Sequence, residues 1–313
     1  MSAVDQQLHD GSPREYPPDH PDSQEFDLQP QDSTVLEDLI GSTSCPECSS
    51  DLILNSNEIR CGGCELIFPV YDGIPLLALR GSAETWANVA PLQTSCDYQL
   101  EYEEIDAAAG YNEAYLDERT KRWSTEREYK LLNRLLSGQP RCDTLLNIPS
   151  GGGRLSETIA KYTNTLVEAD IALGQLRYAR HRAGAVNNRL WMTASAFHIP
   201  FKDESLDGVV CCRLCHHLPT PIERERLVAE LLRVARQFVV MTFFDYHSPK
   251  NSLRRMRRAF DNKPPKMTMN RNRLSKLALE NGAELIGAPT LSCLFSGHRY
   301  ALMVKRDPGA QET

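Results

Sequence analysis

Long apolar runs, a surplus of basic charge and a basic beginning are all missing from this 313-residue sequence. Its longest apolar runs, such as residues 238–244, fall far short of the roughly 20 residues that a membrane-spanning helix needs. A secretory signal begins with basic residues followed by an apolar stretch, whereas this sequence begins with acidic ones. The formal net charge of -7 argues against general affinity for nucleic acid. We therefore expect a cytoplasmic protein.

Basic and large apolar residues are also scarce at the start of the chain. Residues 1–44 hold ten acidic side chains against one basic side chain, Arg14, with five prolines among them. Such a stretch buries too little apolar surface to offset the entropy lost on ordering. We predict a disordered acidic tail over residues 1–44 and a second disordered tail over residues 307–313.

Cysteine, by contrast, is plentiful, and four of the ten cysteines are regularly spaced. Cys45 and Cys48 form one C-x2-C pair, and Cys61 and Cys64 form another after twelve intervening residues. Two such pairs are typical of zinc knuckles that meet at a tetrahedral site. Four thiolates leave no open position for a reacting water. The spacing therefore predicts a structural zinc in a small ribbon over residues 45–80, and four unrelated thiols are the alternative.

After a linker-like segment with weak helical patches, residues 81–122, apolar strands and amphipathic helices alternate from residue 123 to residue 306. The clearest helix start is Thr220-Pro221, because Thr220 and Glu223 have the spacing of a capping box. Alternation of this kind predicts an α/β fold, a doubly wound and mostly parallel sheet with helices on both faces.

A glycine-rich turn lies between the first strand of this region and the following helix. Gly151, Gly152 and Gly153 let the backbone approach a ligand, and Asp170 ends the next strand, where a carboxylate can meet ribose hydroxyls. A plain glycine turn is the alternative interpretation of the loop. A nicotinamide dehydrogenase is the competing function for such a sheet. Its G-x-G-x-x-G pattern is absent from this loop, which argues against it.

The region resembles the class I S-adenosylmethionine methyltransferases, in particular the group that includes ubiquinone and menaquinone methylases. Their first motif is an acid followed by three alternating glycines, and it falls on Asn147, Pro149, Gly151 and Gly153. Asn147 thus replaces the acid and Pro149 replaces the first glycine. The rest of the glycine loop is retained.

Two further signatures carry the resemblance. Asp170-Ile171-Ala172, followed by a helix rich in leucine, tyrosine and alanine, matches the end of the family's second strand. The segment 195–201 matches a later motif, in which Ser195 replaces the acid that contacts adenine. The resemblance implies a seven-stranded Rossmann-like sheet and S-adenosylmethionine as cofactor. The cofactor-binding residues that it implies are Asn147, Ser150, Gly151, Gly152, Gly153, Asp170, Ile171, Ser195, Ala196 and Arg213.

The methyl acceptor is less defined. We expect a small-molecule or lipid-like acceptor, with an anionic acceptor as one option. The ribbon resembles small zinc proteins that bind methyltransferases acting on tRNA, rRNA and release factors, so RNA or protein is the alternative acceptor. The departures at Asn147, Pro149 and Ser195 leave a third alternative, a degenerate methyltransferase fold that acts as a binding module.

A second group of thiols and imidazoles occupies residues 211–217. Cys211, Cys212 and Cys215 suggest a metal site, but Cys211 and Cys212 continue an apolar strand, which favours buried thiols on opposite faces of the sheet. By the resemblance, His216 and His217 face the acceptor pocket. Either could act as a general base near neutral pH.

A strongly basic segment spans residues 250–276. It contains ten basic residues and a single acidic residue, Asp261. Such a run is often only a solvated surface. Its position after a strand end predicts instead a helical flap beside the active-site mouth, where a positive field would attract phosphate groups.

Overall fold

The computed structural model describes residues 33–55, 58–78, 108, 119–257, 267–292 and 296–306. Most of the two predicted tails and most of the predicted linker lie outside these residues. In the described part of the chain, no helix has the length and apolar character required to cross a bilayer.

The N-terminal part is a helix followed by a small antiparallel sheet. These elements are α1 (Ser33–Ser42), β1 (Leu52–Asn55), β2 (Glu58–Cys61), β3 (Ile67–Tyr71) and β4 (Ile74–Pro75), and the four strands are hydrogen-bonded in sequence order. Asp72 and Gly73 join β3 to β4 with φ angles of 51° and 72°. Positive φ at both central residues is typical of the two-residue turn that suits a hairpin, and Asp-Gly is a favoured pair there.

The remaining strands form the predicted α/β sheet. They are β5 (Cys142–Asn147), β6 (Thr163–Asp170), β7 (Arg189–Thr193), β8 (Leu206–Cys211), β9 (Ala235–Phe244), β10 (Ala283–Gly287) and β11 (His298–Lys305). Their order is β10-β11-β9-β8-β5-β6-β7, and the strand pairs are parallel except for the two made by β11. The prediction of a seven-stranded, mostly parallel sheet is confirmed.

Helices cover both faces of this sheet. They are α2 (Arg119–Leu136), α3 (Ser156–Ile159), α4 (Leu173–Ala183), α5 (Pro221–Val234), α6 (Pro249–Arg257) and α7 (Arg271–Glu280). Along β5, Leu145 belongs to one buried cluster and Leu146 to the other, because successive side chains of a strand point to opposite faces. The sheet is therefore buried on both sides, as its continuous apolar strands predict.

The middle of the sheet leaves no room for even a small side chain at one position. A Cβ atom added at Gly208 would lie 2.7 Å from the ring of Phe238 and 2.8 Å from Leu145.

Helix α5 begins as the sequence predicts. The Glu223 amide donates to Thr220 Oγ1 at 3.2 Å and the Thr220 amide donates to Glu223 Oε2 at 2.8 Å, which completes the capping box.

The ribbon continues the large sheet at its β7 edge. Leu76 forms a parallel bridge with Thr193, and the Ala78 amide donates to Thr193 Oγ1 at 3.1 Å. An edge strand otherwise presents unpaired amide and carbonyl groups that can recruit other chains. The ribbon therefore protects the edge of the domain to which it is fused.

Side chains reinforce this seam. Ile74 of β4 is fully buried in a cluster with Leu176 and Ala179 of α4 and Trp191 of β7. Beside it, Asp72 forms an ion pair with Arg177 at 3.2 Å. The ribbon is thus seated on the helix that directly follows Asp170.

The chain between α1 and the first knuckle also packs on the α/β domain. Thr43 bridges with Phe201, the Ser44 amide donates to the Pro200 carbonyl at 3.2 Å, and Leu39 and Ile40 are buried. The sequence-based boundary placed all of residues 1–44 in a disordered tail. The structure instead gives residues 33–44 a helix and a docking contact, since the few apolar residues of that stretch are concentrated there.

We expect Ile74→Ala to lower the free energy of unfolding by about 2–4 kcal/mol, because it removes a fully buried side chain from the seam. Ile53→Ala is the matched control, since Ile53 lies in the same ribbon and is 53% exposed. Urea unfolding of both variants measures the difference. Equal losses of stability would show that the seam contributes little.

Candidate functional site

The four ribbon cysteines converge on one point. Cys45 Sγ lies 3.7 Å from Cys64 Sγ, Cys48 Sγ lies 3.4 Å from Cys61 Sγ, and all four sulfurs lie within 4.8 Å of one another. Four sulfurs placed tetrahedrally at the usual Zn–S distance would be separated by about 3.8 Å. The donor set and its spacing therefore fit a zinc ion, and these cysteines would hold it.

The two knuckles have matching backbones. Ser49 and Glu65, each directly after the second cysteine of a pair, adopt φ angles of 61° and 60°. The amides of Gly63 and Cys64 donate to Cys61 Sγ at 3.3 and 3.4 Å. A Cβ atom at Gly63 would lie 2.2 Å from Ser50 Oγ, so only glycine allows the two knuckles to approach so closely.

The second group of cysteines does not assemble. Cys211 and Cys212 belong to different buried clusters on opposite faces of the sheet, and Cys215 is buried beside Cys211. Within the described residues, the ribbon cysteines are the one group of three or more potential ligands close enough to share an ion. The interpretation of Cys211, Cys212 and Cys215 as buried thiols is confirmed.

The glycine loop and Asp170 meet at the carboxyl edge of the sheet, as predicted. The Gly151 amide donates to Asp170 Oδ2 at 2.8 Å, and the Ala172 amide donates to Oδ1 at 3.0 Å. Gly151 and Gly153 have φ angles of 53° and 74°, which favour glycine. A Cβ atom at Gly153 would lie 3.1 Å from Ala179, so the loop also packs tightly on α4.

Asp170 is completely buried. Burial raises its pKa to about 6, although the amides of Ala172, Gly151 and Ile171 act in the opposite direction. Three amides already act on the two carboxylate oxygens, which have about four acceptor positions between them. Because the side chain is buried, ribose hydroxyls would reach a remaining position only if neighbouring residues moved aside.

Below the loop, Asn147 pairs with a carboxyl that sequence reasoning missed. Asn147 Nδ2 donates to Glu168 Oε2 at 2.7 Å, and both side chains are buried. Burial raises the pKa of Glu168 to about 7, opposed by the hydrogen bond from Asn147 and by the charge of Arg189. A charged residue in the otherwise apolar run 166–169 was the available signal.

The other predicted cofactor residues surround the same edge. Ser150 is buried and its Oγ has no hydrogen-bond partner among the described residues. Ser195 and Ala196 follow β7 and are also buried, and Ser195 Oγ accepts the Phe197 amide at 3.3 Å. Gly152 lies between the two positive-φ glycines, and Ile171 follows Asp170. Direct contacts of these residues with a cofactor stay predictions.

Arg213, one of the predicted cofactor-binding residues, belongs to a buried hydrogen-bond network. Its Nε and Nη2 donate to Glu128 Oε1 at 3.0 and 2.8 Å, and Tyr300 Oη donates to the same oxygen at 2.6 Å. Arg154, which follows the glycine loop, bonds Glu128 Oε2 at 2.5 Å. Burial opposes ionisation of Glu128, but the two guanidinium groups and Tyr300 hold its pKa below the usual value.

The two predicted histidines lie in a cluster of aromatic rings. The His216 ring centroid is 4.2 Å from that of His217, 4.5 Å from Phe244 and 5.0 Å from His298. His298, at the start of antiparallel β11, was not predicted because 80 residues separate it from this pair. Burial, followed by the charge of Arg213, lowers the pKa of His298 to about 4, so its imidazole is neutral near pH 7.

Part of the basic segment is helical. Helix α6 carries Arg254, Arg255 and Arg257, and it starts five residues after the end of β9. The Arg255 guanidinium lies 3.9 Å from the centre of the Tyr246 ring and donates to the Tyr246 carbonyl at 2.6 Å. Residues 258–266 lie outside the described residues, so the flap over the site stays a prediction.

Together, the strand order, the antiparallel strand β11 and the glycine loop facing Asp170 form a Rossmann-like sheet of the kind found in methyltransferases, behind a cysteine ribbon. Comparison with known proteins agrees with this. Residues 146–243 match the methyltransferase domain family.

The proteins that are similar to the chain include the following two. Demethylmenaquinone methyltransferase of Thermobifida fusca (strain YX) is 28% identical, over 41% of this chain and 61% of its own length. The chain therefore spans less than two thirds of that relative. The crystal structure of magnesium protoporphyrin IX methyltransferase from Synechocystis PCC 6803, with bound SAH, has a TM-score of 0.52 at 16% identity and covers 60% of this chain and 88% of its own. This second likeness supports the fold alone.

We expect purified protein to contain one zinc per chain, and Cys61→Ser to lose most of it, because three remaining thiolates no longer enclose the ion. Cys142→Ser is the control, since Cys142 is a buried thiol of the α/β domain. Elemental analysis by mass spectrometry measures both. Unchanged zinc content in Cys61→Ser would exclude the site.

Proposed function

We propose that this chain transfers a methyl group from S-adenosylmethionine to a small-molecule or lipid-like, anionic acceptor. The observation that supports this most is the meeting of Gly151 and Asp170 where strand order reverses, between β5 and its neighbours β6 and β8. Open α/β sheets bind nucleotide ligands at this point. When bound, S-adenosylmethionine supplies an electrophilic methyl group on a sulfonium sulfur.

The residues at this edge suit such a cofactor. Gly151 and Gly153 give the backbone its close approach, and Asp170 offers its remaining acceptor capacity to the ribose. Asn147 Oδ1 and Ser150 Oγ are buried polar atoms without a hydrogen-bond partner among the described residues. Unpaired buried polar atoms are costly, and a polar ligand would satisfy them.

The histidine cluster is our candidate for the acceptor side. His216 and His217 follow β8, and His298 begins β11, so all three lie at the same carboxyl edge as the glycine loop. A neutral His298 can orient an acceptor by hydrogen bonding, while His217, which is exposed, is better placed to take up a proton. Orientation of the acceptor toward the methyl group would supply much of the acceleration.

Charge favours an anionic acceptor. Arg154 and Arg213 place two guanidinium groups beside Glu128, and besides burial the charges of both lower the pKa of His298. Helix α6 adds three further arginines near the same edge. A positive field over a cleft raises the local concentration of anions.

We expect Asp170→Ala to weaken binding of S-adenosylmethionine about tenfold to a hundredfold, because the ribose would lose a charge-assisted pair of hydrogen bonds. Isothermal titration calorimetry measures the affinity. Asp170→Asn is a second variant, since it keeps the shape and one acceptor oxygen for the loop amides.

The matched control for Asp170→Ala is Asp143→Ala. Asp143 lies at the amino end of β5, where its carboxylate accepts a hydrogen bond from the side-chain amide of Asn164 at 2.8 Å. We expect removal of this carboxylate to leave the affinity for S-adenosylmethionine unchanged. Equal affinity of wild type and both Asp170 variants would exclude the ribose assignment. Absence of binding in every protein, wild type included, would favour a fold that acts only as a binding module.

For the acceptor, we expect transfer of label from methyl-labelled S-adenosylmethionine to the small-molecule or lipid fraction of an extract from cells that lack this protein. Reversal of Arg254, Arg255 and Arg257 to Glu should slow the labelling several-fold at low salt and less at high salt, because salt screens the attraction. Label in the RNA or protein fraction would instead support the alternative acceptors. Equal rates at low salt would make helix α6 a solvated surface.

A further inference from the structure

The position where the resembling family carries an acid is Asn147 in this chain, yet a carboxylate is not absent from the site. Asn147 ends β5, and Glu168 lies directly beside it on β6 in the parallel register. Asn147 Nδ2 donates to Glu168 Oε2 at 2.7 Å. The exposed fractions are 1% for Asn147 and 0% for Glu168, so solvent does not reach this pair. The acidic group, that of Glu168, thus lies on the neighbouring strand β6 and not at residue 147 itself.

The pair fixes how the Asn147 amide is oriented. The NH2 end of the Asn147 amide faces Glu168 Oε2, which accepts its hydrogen bond, so the amide oxygen Oδ1 is turned the other way. Asn147 Oδ1 is buried and has no hydrogen-bond partner among the described residues. It lies at the carboxyl end of β5, directly before the loop that contains Gly151 and Gly153. A ligand that brings an N–H donor to this edge would satisfy it.

We propose that Glu168 is a positioning residue that holds Asn147 so that its Oδ1 accepts a hydrogen bond from the α-ammonium group of S-adenosylmethionine. This inference rests on the proposed function. Asn147 makes the contact, and Glu168 supplies the orientation and the compensating charge behind it. The site thereby retains an acidic group behind residue 147, although residue 147 itself is neutral.

The surroundings of Glu168 suit this role. Burial, which is the largest influence, and the charge of Glu157 oppose ionisation of Glu168, whereas the hydrogen bond from Asn147 and the charge of Arg189 favour it. Arg189 is itself paired with Glu157 at 2.6 Å, so it does not neutralise Glu168 alone. A cation bound at Asn147 would add a further stabilising charge.

Exchange of the two groups provides the sharpest test. Glu168→Gln should weaken binding of S-adenosylmethionine about tenfold, because a neutral partner no longer fixes the amide orientation or supplies the charge. Asn147→Asp alone should weaken it as well and lower the melting temperature, since two buried carboxylates would abut. The double variant Asn147→Asp with Glu168→Gln should return affinity to within about threefold of wild type, because the same hydrogen bond is re-formed with donor and acceptor exchanged.

A second ligand separates positioning from general structure. Methylthioadenosine has the adenosine and sulfur but no ammonium group, so its affinity should be the same in all four proteins. Asp207→Asn is the matched control, since Asp207 is a buried acid at the opposite edge that accepts the Asp143 and Thr144 amides. It should lower the melting temperature without changing the ratio of the two affinities.

Calorimetry and thermal unfolding then decide between the outcomes. Selective loss of S-adenosylmethionine affinity in Glu168→Gln and its return in the double variant would support the proposal. Equal loss for both ligands, or no recovery in the double variant, would overturn it while leaving the proposed function intact. If Asn147→Asp does not fold, Glu168→Gln and the double variant still decide. Failure of the wild type to bind S-adenosylmethionine would overturn the proposed function, and this inference with it.

Discussion

One buried carboxylate, that of Glu128, joins the parts of the chain from which the candidate site is built. Four elements meet on it: α2, the turn after the glycine loop through Arg154, the loop after β8 through Arg213, and β11 through Tyr300. Two guanidinium groups outweigh the desolvation of one carboxylate, so its pKa falls below the usual value despite burial. Removing one partner from such a buried network typically costs about 3–5 kcal/mol, which couples these elements strongly.

The ribbon is connected to the glycine loop through helix α4. Ile74 packs on Leu176 and Ala179, and the backbone of Gly153 lies against Ala179, so contacts run without a gap from the ribbon to the cofactor loop. Zinc would therefore do more than stabilise a module of some thirty residues. A small ribbon buries too little surface to be rigid by itself, and a bound metal would make it a firm support for α4.

The sheet, the ribbon and the glycine loop could be predicted because each depends on residues that are near one another in sequence. The capping box at Thr220 and the four spaced cysteines are local patterns with a physical cause. Glu128, Tyr300 and His298 could not be predicted as site residues, since 172 residues separate Glu128 from Tyr300 and only the antiparallel return of β11 brings them together. Glu168 could more readily have been predicted as a site residue, because an acidic side chain in a buried strand requires a hydrogen-bonding or charged partner.

The departures from the resembling motifs can be judged by what surrounds them. A fold that had lost its ligand would gain stability by replacing buried polar groups with apolar ones, because an incompletely paired buried group is costly. Instead, the carboxyl of Glu168 remains buried beside Asn147, and Asn147 Oδ1 and Ser150 Oγ remain without hydrogen-bond partners among the described residues. All of these groups lie at or below the loop of Gly151 and Gly153. These groups at one edge of the sheet suit a polar ligand, and Glu168 places an acidic group beside the position where the resembling motif carries its acid.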